Sequence, residues 1–388
     1  MRKRVELELL SPLMCGGMRI ADNFLESEPF IRGSVLRAAF ANLILLECPL
    51  ADKPGKNGEL NFVDEKDPDG VCADCPKKAI CRAFSDMYFS FAYPDHAIPA
   101  PFTLKGCKTA GLKHRMQDTV FQNGRLQCSD CNDGLKRMES VKGLIKEAET
   151  ESGYAKVPIE TVLTTHTAIN YDSHTAEEGR LFTVRAIPKG TVYTAEIDDC
   201  DSGMLSVGNI IYVGKYASAG YGKVLIRSVA DVQTVTEERI STDIAAFQKN
   251  LAVENKAALL FRSDAILAIP VNHSVLSSEE YRAIWQKAMF GAEENAVIVE
   301  KVFAETQLYS GYCTGRKWGE WKDSEPVLQV KKGTSVLLEI NDMQKAISVL
   351  TKLAVNGVGK RTNDGFGEVI VCHPLHRLGV IANDNSKL

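Results

Sequence analysis

Gly357-Val-Gly-Lys-Arg-Thr-Asn-Asp-Gly-Phe-Gly-Glu-Val369 is the stretch from which the organisation of the chain is read. Before it, Asp342–Val355 is amphipathic and predicts a helix; after it, Val369–Val371 is β-branched and predicts a strand. Glycines in such a helix-to-strand connection admit positive φ and let another backbone come close. Lys360 and Arg361 stand at its mouth, a combination suited to a phosphate held against N–H groups. A tight turn with no ligand is the alternative. A P-loop is excluded because Gly365 is followed by Phe366, and a dinucleotide fingerprint because the strand and helix stand in the wrong order.

The stretch has a second copy. Val213-Gly-Lys-Tyr-Ala-Ser-Ala-Gly-Tyr-Gly-Lys-Val224 matches Val358–Val369 at six identical positions, with Tyr221 facing Phe366. Repetition of so specific a pattern predicts two related domains, each closed by the same loop and strand.

The chain has 388 residues, long enough for two or three domains, with 45% apolar and 25% charged residues. A net charge of −4 and a pI near 6.1 argue against a free-standing, indiscriminate nucleic-acid binder, but leave room for a basic groove. No apolar run suits a membrane span, and the start, Met1-Arg-Lys-Arg-Val-Glu, lacks a signal-peptide core, so a cytoplasmic protein is expected. Of 11 cysteines, seven (Cys48, Cys72, Cys75, Cys81, Cys107, Cys128, Cys131) crowd into one region. In a reducing compartment that points to metal rather than disulfides. Cys72, Cys75 and Cys81 give three thiolates from one loop, completed by Cys48 or a member of the second knuckle. Cys107, Cys128 and Cys131 form a second set with a histidine such as His96 or His114. Zinc takes four such ligands in a tetrahedron, and here it would be structural. One ion or two remain open.

Around these features, Val5–Leu10 predicts a strand and Phe30–Leu46 contains a helix with Ser34 as N-cap. Arg32 and Arg37 flank that helix start, a placement suited to phosphate; a capped core helix with exposed arginines is the bland reading. Residues 48–153 form a cysteine-rich insertion. Its aromatic run Met87–Pro94 suits a strand with stacking surfaces for bases, or simply core. His166–Asp172 is expected as a polar loop. Leu181–Ile187 and Thr191–Ile197 are expected as a hairpin joined by Pro188-Lys-Gly190. In the second half, strands at Ala257–Ile269, Val297–Val302 and Val336–Ile340 alternate with helices at Glu279–Phe290 and Asp342–Val355. Arg316 and Lys317 lie between Tyr312 and Trp318. Strand–helix–strand–strand–helix–strand is the ferredoxin-like order, expected in both halves. The expected fold is α+β: a first domain over 1–230, a linker over 231–256 and a second domain over 257–388.

Several of these pieces together resemble the RAMP superfamily of CRISPR-associated proteins. They are Ile31-Arg-Gly-Ser-Val-Leu-Arg37, close to the family's Pro-Gly-Ser-Ser-Leu-Arg-Gly, Tyr88–Pro101, Thr167-Ala-Ile-Asn with Leu181-Phe-Thr-Val, and both glycine loops. Arg32 replaces the usual proline and Ala38 the usual glycine. Two modules around a cysteine cluster are similar to the double-RAMP subunit of subtype III-D effector complexes. The resemblance spans 4–226 and 257–372. It implies two RRM-like RAMP domains that bind CRISPR RNA within a multi-subunit complex of backbone and large subunits, capping the 5′ repeat-derived end and reaching target nucleic acid through the guide in prokaryotic antiviral defence. Carried over, Arg32, Gly33, Ser34 and Arg37 would sit near the guide. Gly214, Lys215, Tyr216, Gly220, Tyr221 and Gly222 would grip it, as would Gly359, Lys360, Arg361, Gly365, Phe366 and Gly367. The chain is expected to be non-catalytic. The alternatives are an endoribonuclease using Asp22 for target cleavage or His166 for guide processing, and a zinc-stabilised interaction scaffold.

Overall fold

Alternation of Val5, Leu7 and Leu9 with Arg4, Glu6 and Glu8 forms strand β1 (Arg2–Leu9), its apolar face fully buried. That face packs on Leu36, Phe40 and Ile44 of helix α1 (Gly33–Leu45). Each such side chain contributes about 1.5–3 kcal/mol by leaving water. The computed structural model describes all residues except 17, 22, 56–57, 59, 61, 122–125, 132–136, 151–152, 171, 201–202, 270–276, 310–325 and 379–388.

The first half continues with β2 (Tyr93–Pro94), β3 (Val162–Ile169), β4 (Ala176–Ala186), β5 (Val192–Asp198), β6 (Ile210–Tyr212) and β7 (Lys223–Asp231). Five of these strands form one antiparallel sheet in the order β6-β7-β1-β5-β2, with Val5 opposite both Ala195 and Val229. The second half opens with helix α2 (Glu237–Leu251) and continues with β8 (Lys256–Phe261), α3 (Ser278–Phe290), β9 (Val297–Phe303), β10 (Ser335–Ile340), α4 (Met343–Asn356) and β11 (Val369–Val371). Its antiparallel sheet runs β9-β10-β8-β11. The strand after the glycine loop lies beside the first strand in both sheets, followed by the third and then the second.

Hydrogen bonds repeat as closely as the strand order. Ser11 Oγ accepts from the Lys223 N–H at 2.9 Å, and Ser263 Oγ accepts from the Glu368 N–H at 2.9 Å. The Gly190 N–H donates to the Leu9 carbonyl at 2.7 Å, and the Gly333 N–H to the Phe261 carbonyl at 2.8 Å. Thr191 and Thr334, each following its glycine, donate their hydroxyls to the carbonyls of Pro188 and Lys331.

Five expectations change. Residues 231–256, expected as a linker, include α2, whose Ile240, Ile244, Phe247 and Leu251 belong to the second core beside Leu350 and Leu353 of α4. Ser34 is not the N-cap; α1 starts at Gly33 with no side-chain cap. The expected hairpin at Pro188–Gly190 is a crossing between sheets. β5 joins the main sheet, whereas β4 pairs with β3 and with Phe24–Glu26 in a separate sheet. The expected loop at His166 is part of β3, because the β-branched run Val162-Leu-Thr-Thr-His-Thr167 favours extended pairing. Between β5 and β6 the described residues form turns rather than a second helix, so the first half is the plainer copy.

The insertion builds short ribbons: Leu104–Cys107 between Gln117–Asp118 and Met138–Ser140, and Leu144–Glu147 between Tyr154–Lys156 and Ile98–Pro99. Its Leu104, Met116 and Ile145 pack with Leu260 and Leu375 of the second half. The Asp118 carboxylate also reaches the buried His376 imidazole at 3.2 Å. Among the described residues no helix is long and apolar enough to cross a membrane.

Candidate functional site

The two glycine loops share one backbone. Gly214 and Gly359 have φ of 84° and 89°, Tyr216 and Arg361 of 65° and 60°, Gly220 and Gly365 of 88° and 75°, and Gly222 and Gly367 of 72° and 71°. Between them a 3₁₀ turn forms at Ala217–Ala219 in one and Thr362–Asp364 in the other. A Cβ on Gly222 would lie 2.0 Å from the Val213 carbonyl oxygen, and one on Gly367 would lie 1.9 Å from that of Val358. The glycines are therefore required by the loop itself. The N–H groups of Lys215 and Lys360 donate to the carbonyls of Met14 and Ile266, and those of Gly222 and Gly367 to Pro12 and Asp264. These N–H groups tie each loop to its own first-strand segment. A phosphate would meet the side chains instead, and Lys215 and Lys360 are exposed at equivalent points.

The surroundings of the loops differ. The second is clasped to the first half. Arg37 donates from Nε to Asp364 Oδ1 at 2.6 Å and from Nη2 to the Asn363 carbonyl at 3.0 Å. It also bonds the carbonyls of Phe84 and Met87 at 2.6 Å each. The Phe89 N–H donates to the Asn363 carbonyl at 2.8 Å, and Phe366 meets Phe91 edge-on at 5.2 Å. A Cβ on Gly33 would lie 2.3 Å from the Asp364 carbonyl oxygen. Gly33 and Arg37, expected near a guide, serve here to join the halves. Arg361 holds Asp364 Oδ2 at 2.8 Å, which raises its pKa against the opposing effect of burial.

Arg32 is likewise engaged. It lies 2.7 Å from Glu28 and 3.5 Å from Asp264, its guanidinium over the rings of Phe30 and Tyr309. Lys332 completes this group, 3.6 Å from Asp264, with burial lowering its pKa. Phe89, Phe91 and Tyr93, expected as core or base-stacking surfaces, are core.

The first loop packs on the β3–β4 ribbon. Tyr221 is buried, its hydroxyl bonded to Thr164 and, at 2.7 Å, to His166 Nε2. The rings of His166, Phe182 and Tyr216 form a half-exposed column, with centroid separations of 5.3 Å and 5.7 Å. Lys215 stands beside it in sequence. His166 is thus held by packing and by a phenol. Asp22 and the Arg316–Trp318 segment lie outside the described residues.

In the insertion, Cys107, His114, Cys128 and Cys131 bring ligand atoms within 4.8 Å of one another, the one such group of His, Cys, Asp or Glu among the described residues. Cys107 and Cys131 Sγ are 3.3 Å apart, and His114 Nδ1 lies 3.4 Å from Cys128 and 3.5 Å from Cys131. The edges of a zinc tetrahedron would be roughly 3.5–3.8 Å, so three thiols and an imidazole fit such an ion. Burial opposes ionisation of Cys107, but the Ala110 N–H and the neighbouring thiols bring its pKa down to about 7. His96 is elsewhere, against Thr194 and Glu6. Cys48, Cys72 and Cys75 lie near Cys81 without so tight a set; burial first, then those thiols, raises Cys81 to about 11.

A family model described as the RAMP superfamily matches residues 6–224. The chain belongs to the RAMP superfamily. The match takes in the first half of this RAMP protein and its insertion, ending on the first glycine loop. Comparison with curated protein sequences gives no match. Among solved structures, a chain of the type III-B Cmr-beta complex bound to cognate target RNA and AMPPnP is 14% identical, with a TM-score of 0.44 over 94% of this chain and 98% of that one. A second, bound to cognate target RNA, is 13% identical, with a TM-score of 0.43 over 91% and 95%.

Sequence reading missed Asp364, Phe182 and the Ser11–Ser263 pair. Only the serines carried a local signal, each following the apolar run of a first strand.

Proposed function

We propose that this RAMP protein is a CRISPR RNA-binding subunit of a type III effector complex, built from two ferredoxin-like modules. The observation that carries the reading is the repeated lysine. Lys215 and Lys360 project from two loops of identical backbone, at points that stay exposed although one loop is docked and the other is not. Two cations in equivalent positions suit phosphates along one strand. The His166–Phe182–Tyr216 column beside Lys215 suits stacked, unpaired bases. Guide RNA, neighbouring backbone and large subunits, and target nucleic acid paired to the guide are the partners of this reading. A place at the repeat-derived 5′ end, a prokaryotic cytoplasmic location and a role in antiviral defence go with it.

Cys107, His114, Cys128 and Cys131 would hold one structural zinc. It would fix the ribbons of an insertion whose own core is small. A metal assay on purified protein should find zinc, with one equivalent lost in His114→Ala combined with Cys128→Ser; retention of all metal in that variant would exclude these ligands.

No observation among the described residues favours RNA cleavage by His166. The functional reading is tested by purifying the tagged chain from its native host. Short RNA with a uniform 5′ end should accompany it; protein recovered in complex without RNA would count for a scaffold instead.

A further inference from the structure

The clasp within this chain shows what the turn of a glycine loop can seat. Thr362–Gly365 lies against the start of α1 and the Phe89–Phe91 segment. Most of that contact is backbone: the Asn363 carbonyl accepts from the Phe89 N–H and from Arg37, the Asp364 carbonyl abuts Gly33, and a Cβ on Gly365 would meet the Phe89 carbonyl at 2.6 Å. The α1 helix begins without a side-chain cap, and the loop occupies its N-terminal end.

The equivalent turn of the first loop, Ala217–Gly220, is exposed along its whole length, and a Cβ on Gly220 would meet nothing within 4 Å. It has the same backbone, so its carbonyls at Ser218 and Ala219 and the bare Gly220 present the same seat. Its small side chains leave that seat open to close approach. At the other end of the chain the counterpart of α1 is self-sufficient. The α3 helix carries a complete capping box of Ser277 and Glu280, with Glu279 and Glu280 in its first turn.

We infer that the Ala217–Gly220 turn docks the first-helix N-terminus of a RAMP module in a neighbouring subunit, by the same head-to-tail contact that joins the two halves of this chain. The inference rests on the effector-complex reading. A heterologous contact of this kind propagates along a row of modules. This chain offers one vacant seat and a self-capped helix at its far end, so it terminates the row. Lys360 stays exposed when its loop is docked, so Lys215 remains available to RNA when its own loop is docked.

The two seats differ at three of their four positions, and one difference removes the carboxylate: Asp364, which receives Arg37, is matched by Ala219. Ala219→Asp should restore that carboxylate and increase incorporation of the full chain into the reconstituted effector complex. Ala219→Arg should set like charge against the incoming arginine and reduce incorporation about tenfold without lowering the affinity of the isolated chain for guide RNA. The decisive test places the photo-reactive p-benzoylphenylalanine at position 219 of the full chain, irradiates the assembled complex and identifies the cross-linked peptide. The expected product joins position 219 to the start of the first helix of a neighbouring RAMP subunit. A cross-link to guide RNA or to another protein surface would overturn the docking while leaving the functional reading intact. Failure of the full chain to enter the reconstituted complex at all would overturn both.

Discussion

The loops Val213–Val224 and Val358–Val369 have the same dihedral angles, the same 3₁₀ turn and the same bonds to their first-strand segments, yet different neighbours. The aromatic three residues before the closing valine offers no distinction by itself; what surrounds it does. Phe366 packs on Phe91 of the other half, whereas Tyr221 packs on His166 and Thr164 of its own half. The backbone of the second loop lies against the first half, and the Asp364 carboxylate adds a bond to Arg37 that Ala219 cannot make. The glycine pattern specifies a shape, and the residues between the glycines decide what the shape holds.

Removing the clasp should have the largest effect. Arg37→Ala leaves the Asp364 carboxylate and the carbonyls of Phe84, Met87 and Asn363 without a shared donor, at a cost of about 3–5 kcal/mol in denaturant unfolding. Arg37→Lys should restore little, because a single ammonium cannot span those acceptors. Wild-type stability in Arg37→Ala would remove the clasp from the account. A smaller effect should separate equivalent glycines. Gly220→Ala meets open space and carries only the strain of positive φ, about 1 kcal/mol. Gly365→Ala carries the same strain and a further ~1–3 kcal/mol, because its Cβ meets the Phe89 backbone. Equal losses in urea titrations would mean that the loops are not packed differently.

The duplication was legible in sequence because positive φ and close backbone approach both demand glycine, which leaves a fixed spacing. Lys215 and Lys360 were legible for the same reason. The role of Arg37 was not, since its partner Asp364 lies in the other half and no local pattern joins them. The turn Pro188-Lys-Gly190 reads equally well as a hairpin or as a crossing; only the pairing of β4 with β3 decides it. The α2 helix could have been found, because Ile240, Ile244, Phe247 and Leu251 recur at helical spacing behind a polar composition. The cysteine spacing located the thiols of the insertion, but the choice of His114 over His96 required the folded chain.

The proposed function puts RNA on the exposed lysines of the two loops. Its most direct measurement is the salt dependence of guide-RNA binding by the full chain and by the Lys215→Ala, Lys360→Ala double variant. Loss of two phosphate contacts should weaken binding across all guide sequences and reduce the slope of log affinity against log salt by about 1.4. An unchanged affinity and slope in the double variant would contradict the account.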